Sequence, residues 1–199
     1  TIWITPIVEN ITEDQHDNKT DTATYGYHGY WASDFTKLNP TLGTPEEFET
    51  MISEAHKRGM RIMVDIVVNH AGYGTESTFA GMLRDKSISE GDIKSWQDGL
   101  PDFATENADV RAKLVEWQTS WMKNYGVDYF RVDTVKHVDS TTWAALKNST
   151  TEVNPSFAAG IVTATVLSLP TVYVAPLYKS FTSVPAAKLT GTFTSFAAS

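Results

Sequence analysis

Apolar residues along the chain fall into two kinds of run, and the two kinds alternate. The first is short, continuous and rich in β-branched residues: Ile2-Trp3-Ile4, Ile62-Met63-Val64-Asp65-Ile66-Val67-Val68, and Val127-Asp128-Tyr129-Phe130-Arg131-Val132. Such runs, bounded by glycine turns, predict strands buried on both faces of a parallel sheet. The second kind repeats at helical spacing, with Phe48, Met51, Ile52 and Ala55 in one stripe and Val110, Leu114, Trp117 and Trp121 in another. Thr44-Pro45-Glu46-Glu47 opens the first helix with an N-cap, a proline at the first helical position and a capping-box glutamate, and Gly59 ends it. Gly126 ends the second helix, and a third is predicted over Ser140 to Thr150. Strands near residues 2–8, 61–69 and 128–133, each followed by a loop and a helix, predict a parallel α/β sheet with right-handed crossovers.

Polar exceptions inside these strands decide between architectures. A period of two puts Arg131 and Asp133 on one face of their strand, and Asp65, Val67 and Asn69 on one face of theirs. Charge thus gathers at the C-terminal strand ends, and the segments after those ends, 9–43 and 71–106, are long. That asymmetry fits a (β/α)8 barrel, whose chemistry stands on the loops of the C-terminal face. No GxGxxG follows any strand, which counts against an open dinucleotide-binding sheet. Beyond Ala158 the pattern breaks, since only Lys179 and Lys188 are charged and Pro170, Pro176 and Pro185 interrupt the run. The expected organisation is residues 1–157 as a partial barrel, with a short excursion over 71–101, and 158–199 as an atypical tail holding at most short strands such as Ile161 to Leu167. Thr1 already lies in a strand-like run, so a fragment or a mature product is expected.

Composition narrows the function. Of 199 residues 41% are hydrophobic, enough to bury a core without covalent staples. The absence of cysteine excludes disulfides, thiolate metal sites and thiol nucleophiles. A formal charge of -8 counts against nucleic acid as a partner, because neutralising phosphates needs a basic face. No apolar run reaches the roughly 18 residues of a membrane span, so no membrane partner is expected. Asn10, Asn18 and Asn148 open N-x-Thr sequons, a pattern chance alone supplies.

Three blocks carry candidate chemistry. Phe130-Arg131-Val132-Asp133-Thr134-Val135-Lys136-His137 packs four ionisable groups at a strand end, and a cation beside Asp133 stabilises its charged form. That suits a nucleophile or a cation stabiliser, and equally a structural ion pair. Asp65-Ile66-Val67-Val68-Asn69-His70 ends the preceding strand with a side-chain amide and an imidazole. Tyr25-Gly26-Tyr27-His28-Gly29-Tyr30-Trp31 offers aromatic faces between glycines, suited to stacking on a sugar ring or to packing on the barrel rim.

Together with Leu100-Pro101-Asp102, these blocks resemble, in order and spacing, the alpha-amylase family of glycoside hydrolases over about residues 1–157. The resemblance implies a partial TIM-type barrel, about strands two to four with their helices, acting with retention on α-1,4-linked glucans. By it, Asp133 is the nucleophile and Arg131 aims it. His70 bonds the sugar at the cleavage subsite, Tyr30 stacks on that sugar, and His28 and Trp31 line the site. Lys136 and His137 touch the sugar on the leaving-group side, and Asp65 holds Arg131. The resemblance also implies calcium, bound by Asn69 through its side-chain oxygen, Asp102 through its carboxylate and His137 through its backbone carbonyl, with Glu90, Asp92 and Asp98 as further candidates. A secreted protein with an α-glucan polysaccharide or oligosaccharide as partner is implied as well. One part of the pattern is missing: no Glu occurs after Glu152 to serve as general acid. A non-catalytic glucan-binding or structural remnant, or a transglycosylating relative, are the alternatives.

Overall fold

The structure, a computed structural model, describes residues 1–16, 21–155, 159–166 and 169–176. In chain order its elements are β1 (Ile2–Ile4), β2 (Val8–Asn10), β3 (Ala32–Leu38), α1 (Pro45–Lys57), β4 (Ile62–Ile66), β5 (Ser89–Glu90), β6 (Lys94–Ser95), α2 (Ala108–Tyr125), β7 (Tyr129–Val132), α3 (Ser140–Val153), β8 (Ala159–Val166) and β9 (Leu169–Pro176). The predicted parallel sheet is present as β1-β4-β7, with Ile2 opposite Ile62 and Asp65 opposite Arg131. On the far side of β7 the backbone of β9 pairs antiparallel, and β8 pairs antiparallel with β9.

Burial explains the order. Val64, Phe130 and Val132 are fully buried on one face of the sheet, Val64 opposite Phe130 and Ile66 opposite Val132, and the apolar core covers that face. Helix α1 brings Phe48, Ile52 and Ala55 to that core and α2 brings Val110, Leu114 and Trp121. Met51, expected in the α1 stripe, is 40% exposed, because it sits about 100° round the helix from Ile52, beyond the edge of the buried face. Trp117 instead lies stacked on Phe35 of β3, ring centres 5.5 Å apart. The capping box forms as predicted: Glu47 N–H donates to Thr44 Oγ1 at 3.2 Å and Thr44 N–H to Glu47 Oε2 at 2.8 Å. Gly126 takes the left-handed conformation that closes α2, φ 75°.

Two expectations are corrected. The first strand stops at Ile4, since Pro6 has no N–H to extend the ladder. Residues 8–10 and 32–38 then form an antiparallel pair of their own inside the segment expected to be loop, with Asn10 opposite Ala32. The excursion after β4 leaves at His70 and returns beside it at Asp102, an antiparallel bridge, while Ala71 N–H donates to the Pro101 carbonyl at 2.9 Å. Phe103, fully buried against Phe35 and Phe79, anchors the return. Among the described residues no helix is long and apolar enough to cross a membrane. Of the sequons, Asn148 is exposed on α3, Asn10 is buried and Asn18 lies outside the described residues.

Candidate active site

Arg131 is the centre of the site because register puts it opposite Asp65 near the C-terminal ends of β4 and β7. Its Nη1 donates to both Asp65 oxygens, at 2.9 and 2.8 Å, and lies 2.8 Å from Asp133 Oδ1. One guanidinium thereby ties the two carboxylates together, the side-chain period having put Arg131 and Asp133 on one face and the cross-strand register adding Asp65. Tyr30 O–H donates to Asp65 Oδ2 at 2.9 Å, which joins the aromatic loop to the same cluster. Burial pushes Asp65 up to about 6, against the pull of Arg131. A carboxyl raised in this way resembles a general acid. Geometry denies Asp65 that role, since its side chain has no exposed surface and is already bonded to Arg131 and Tyr30.

The aromatic loop is held by a residue that sequence reasoning noticed only as a sequon. Asn10 is buried; its Nδ2 donates to the carbonyls of Val8 at 2.7 Å and Gly29 at 3.3 Å, and its Oδ1 accepts from Trp31 N–H at 2.8 Å. Gly29 adopts φ 90°, and a Cβ there would stand 2.7 Å from the Pro6 carbonyl, so no other residue fits the turn. His28 packs edge-on to Trp31 at 4.6 Å and accepts from Tyr30 N–H through Nδ1 at 3.1 Å. In a neutral ring Nε2 then carries the proton, and burial lowers the pKa of this imidazole, which favours that neutral form. Replacing Asn10 by alanine strands one donor and two acceptors in the interior and should cost about 1–3 kcal/mol. Urea unfolding reads the loss, and an unshifted midpoint would show that the loop is held by other contacts.

His70 is 5% exposed, and burial lowers its pKa to about 4, so the ring is neutral at physiological pH. Its Nε2 faces the Tyr30 carbonyl at 3.1 Å and its Nδ1 the Asn69 amide nitrogen at 3.3 Å. Both nitrogens are therefore engaged inside the protein, and a sugar contact must share or displace one of these bonds. After Asp133 the chain turns sharply through Thr134, a β-branched residue at φ 51° whose buried hydroxyl has no hydrogen-bond partner. That strained residue directs residues 135–137 into a 3-10 turn. Lys136 and His137 do not stand free there. Lys136 Nζ lies 3.1 Å from Asp92 Oδ2, and His137 Nδ1 lies 2.8 Å from the Asp92 carbonyl.

For calcium, the informative atom is Asp102 Oδ1. It is buried with no hydrogen-bond partner, while Oδ2 accepts from Arg84 Nε at 2.7 Å. Burial raises Asp102 to about 7, against the pull of Arg84. Asn69 lies across the same junction, its carbonyl accepting from Phe103 N–H at 2.9 Å. An unsatisfied buried carboxylate oxygen is the kind of hard donor that calcium takes. The further candidates are placed otherwise: Glu90 pairs with Lys94, Asp92 with Lys136, and the Asp98 carbonyl takes the Tyr73 hydroxyl. Among the described residues no three acidic or histidine side chains converge on a metal site. Arg84, which no sequence signal singled out, is 5% exposed and also binds Glu106 bidentately at 2.6 and 2.8 Å.

Comparison with known proteins bears on the family and the fold of the chain. The family profile described as "Alpha amylase, catalytic domain" matches residues 1–100 and 93–160. An alpha-amylase of Saccharomycopsis fibuligera is 34% identical over 164 residues, covering 69% of this chain and 31% of the relative. A cyclomaltodextrin glucanotransferase of a Bacillus species is 34% identical over 165 residues, covering 69% of this chain and 22% of that protein. The alpha-amylase of Geobacillus thermoleovorans, solved with acarbose, superposes with a TM-score of 0.65 at 33% identity, covering 76% of this chain and 34% of the other. This chain therefore spans about a third or less of the relatives it matches, and its partial α/β sheet is part of their TIM barrel. Matched by the catalytic-domain profile over well more than half of its length, the chain belongs to the alpha-amylase family.

Proposed function

We propose that this chain is the nucleophile-bearing part of a retaining glycoside hydrolase acting on α-1,4-glucans. The observation that carries this reading is the Asp133 carboxylate at the end of a buried parallel strand, 2.8 Å from Arg131, in a cluster that Tyr30 joins to the aromatic loop. In the step proposed, an Asp133 oxygen attacks the anomeric carbon, the glycosidic C–O bond breaks, and the departing oxygen takes a proton from a general acid. Water then releases the sugar with retained configuration; a sugar hydroxyl in its place gives transglycosylation. Tyr30 and Trp31 would stack on the donor sugar, His28 would donate from Nε2, and His70 would bond the same sugar. Among the described residues no contact brings an accessible second carboxyl to Asp133, and no Glu follows Glu152 in the sequence. That favours one alternative, a non-catalytic glucan-binding remnant. Because a polymeric substrate does not cross membranes, an extracellular location accompanies either reading.

A ring-fluorinated maltosyl fluoride separates the two. Fluoride leaves without protonation, so the missing acid is no obstacle, and attack by Asp133 with loss of fluoride leaves a stable glycosyl ester. Mass spectrometry should show one added fluoromaltosyl group on the intact chain and, after digestion, on the peptide containing Asp133, and Asp133→Asn should abolish it. Glucan binding without labelling would leave the binding reading; neither would remove both.

Calcium belongs to the same proposal. Asn69, Asp102 and the His137 carbonyl would hold it, and it would brace the junction between β4, the excursion and the turn after β7. A ligand that binds only the folded state stabilises by mass action. Chelator should therefore lower the melting temperature and added calcium restore it. An unchanged melting temperature would remove the metal from the reading.

A further inference from the structure

The turn between β5 and β6 touches the 3-10 turn after Asp133 at two points, and both contacts come from Asp92. Its carbonyl accepts from His137 Nδ1 at 2.8 Å, with a longer bond from Gln97 Nε2 at 3.5 Å, and its Oδ2 lies 3.1 Å from Lys136 Nζ. A carbonyl oxygen only accepts, so His137 Nδ1 carries the proton and Nε2 of the neutral ring becomes an acceptor. An ammonium has three donors, and Asp92 occupies one. Anchoring a flexible four-carbon stem also removes rotamer freedom before any ligand arrives. Consecutive residues thus present one acceptor and two directed donors. Neighbouring hydroxyls of a pyranose call for that pattern, one donating to the imidazole while the next accepts from the ammonium.

We propose that Asp92 is a positioning residue for the sugar on the leaving-group side, its carbonyl setting the tautomer of His137 and its carboxylate aiming Lys136. This rests on the glucan reading above and adds to it a role for the short excursion. Asp92 and Lys136 are 65% and 49% exposed, so the pair is open to screening by salt, and that gives the test a signature. Maltoheptaose binding to the full chain is measured by calorimetry at low and high ionic strength, for the natural protein and for Asp92→Asn, which keeps the carbonyl and removes the charge. Affinity should fall about two- to fivefold at low salt and the difference should close at high salt. Lys136→Gln, which removes the donor itself, should give at least as large a loss, and the double variant no further loss beyond it. Nitrogen NMR of the His137 ring should report a protonated Nδ1 in both natural and Asp92→Asn chains. Equal affinities at low salt, additive losses, or a proton on Nε2 would each overturn the role of Asp92 while leaving the glucan reading standing. Failure of the natural chain to bind maltoheptaose at all would instead overturn the glucan reading and this inference with it.

Discussion

Replacing Arg131 by leucine should lower folding stability by about 3–5 kcal/mol at pH 7. The loss comes from what remains: Asp65, whose side chain has no exposed surface, keeps the Tyr30 hydroxyl but loses both guanidinium bonds, and Asp133 loses its cation. The pH dependence follows from Asp65. Burial already pushes its pKa up to about 6 with Arg131 present, and without the arginine it must rise further. Between the unfolded value near 4 and that raised value, the folded state binds a proton that the unfolded state does not, so stability falls as pH rises through this window. The deficit of Arg131→Leu should therefore be large at pH 7 and shrink toward pH 5. Adding Asp65→Leu should recover much of it at pH 7, because both members of a buried pair are then gone. Urea midpoints at the two pH values for the three variants decide the matter. A deficit that stays constant with pH would show that the loss is one of packing alone.

Arg84→Met should be nearly as costly, about 3–5 kcal/mol, by the same logic at a different place. Arg84 and Asp102 are almost fully buried, and Arg84 is the only partner of Asp102 Oδ2 among the hydrogen bonds of the described residues. Removing it leaves a buried carboxylate with neither oxygen satisfied. Glu106 is 38% exposed and can return to water, so Glu106→Gln should cost far less than Arg84→Met. Because the Arg84 side chain ties the excursion to its return at Asp102 and Glu106, the variant should be cut faster by protease between residues 85 and 99. Bound calcium at Asp102 would offset part of the missing positive charge, so the Arg84→Met deficit should narrow when calcium is added. Equal deficits for Glu106→Gln and Arg84→Met would show that the buried carboxylate is not the source of the cost.

Local interactions and the burial pattern were enough to determine the repeating unit of this protein. The Thr44–Glu47 capping box, the glycine at the end of α2 and the β-branched runs of β4 and β7 depend on neighbours a few residues away, or on the simple requirement that apolar faces be buried. The period of two likewise placed Arg131 and Asp133 on one face, and the structure joins them at 2.8 Å. What only tertiary structure decided are partnerships between distant residues. Asn10 holds Gly29 and Trp31, Arg84 meets Asp102 and Glu106, and Asp92 reaches Lys136 and His137 from the far side of the excursion. No propensity or spacing encodes these, because a hydrogen bond between loops depends on where the sheet beneath has carried each one. Exposure of Met51 and the pairing of β2 with β3 have the same origin: each was set by which surface the rest of the chain left free to cover.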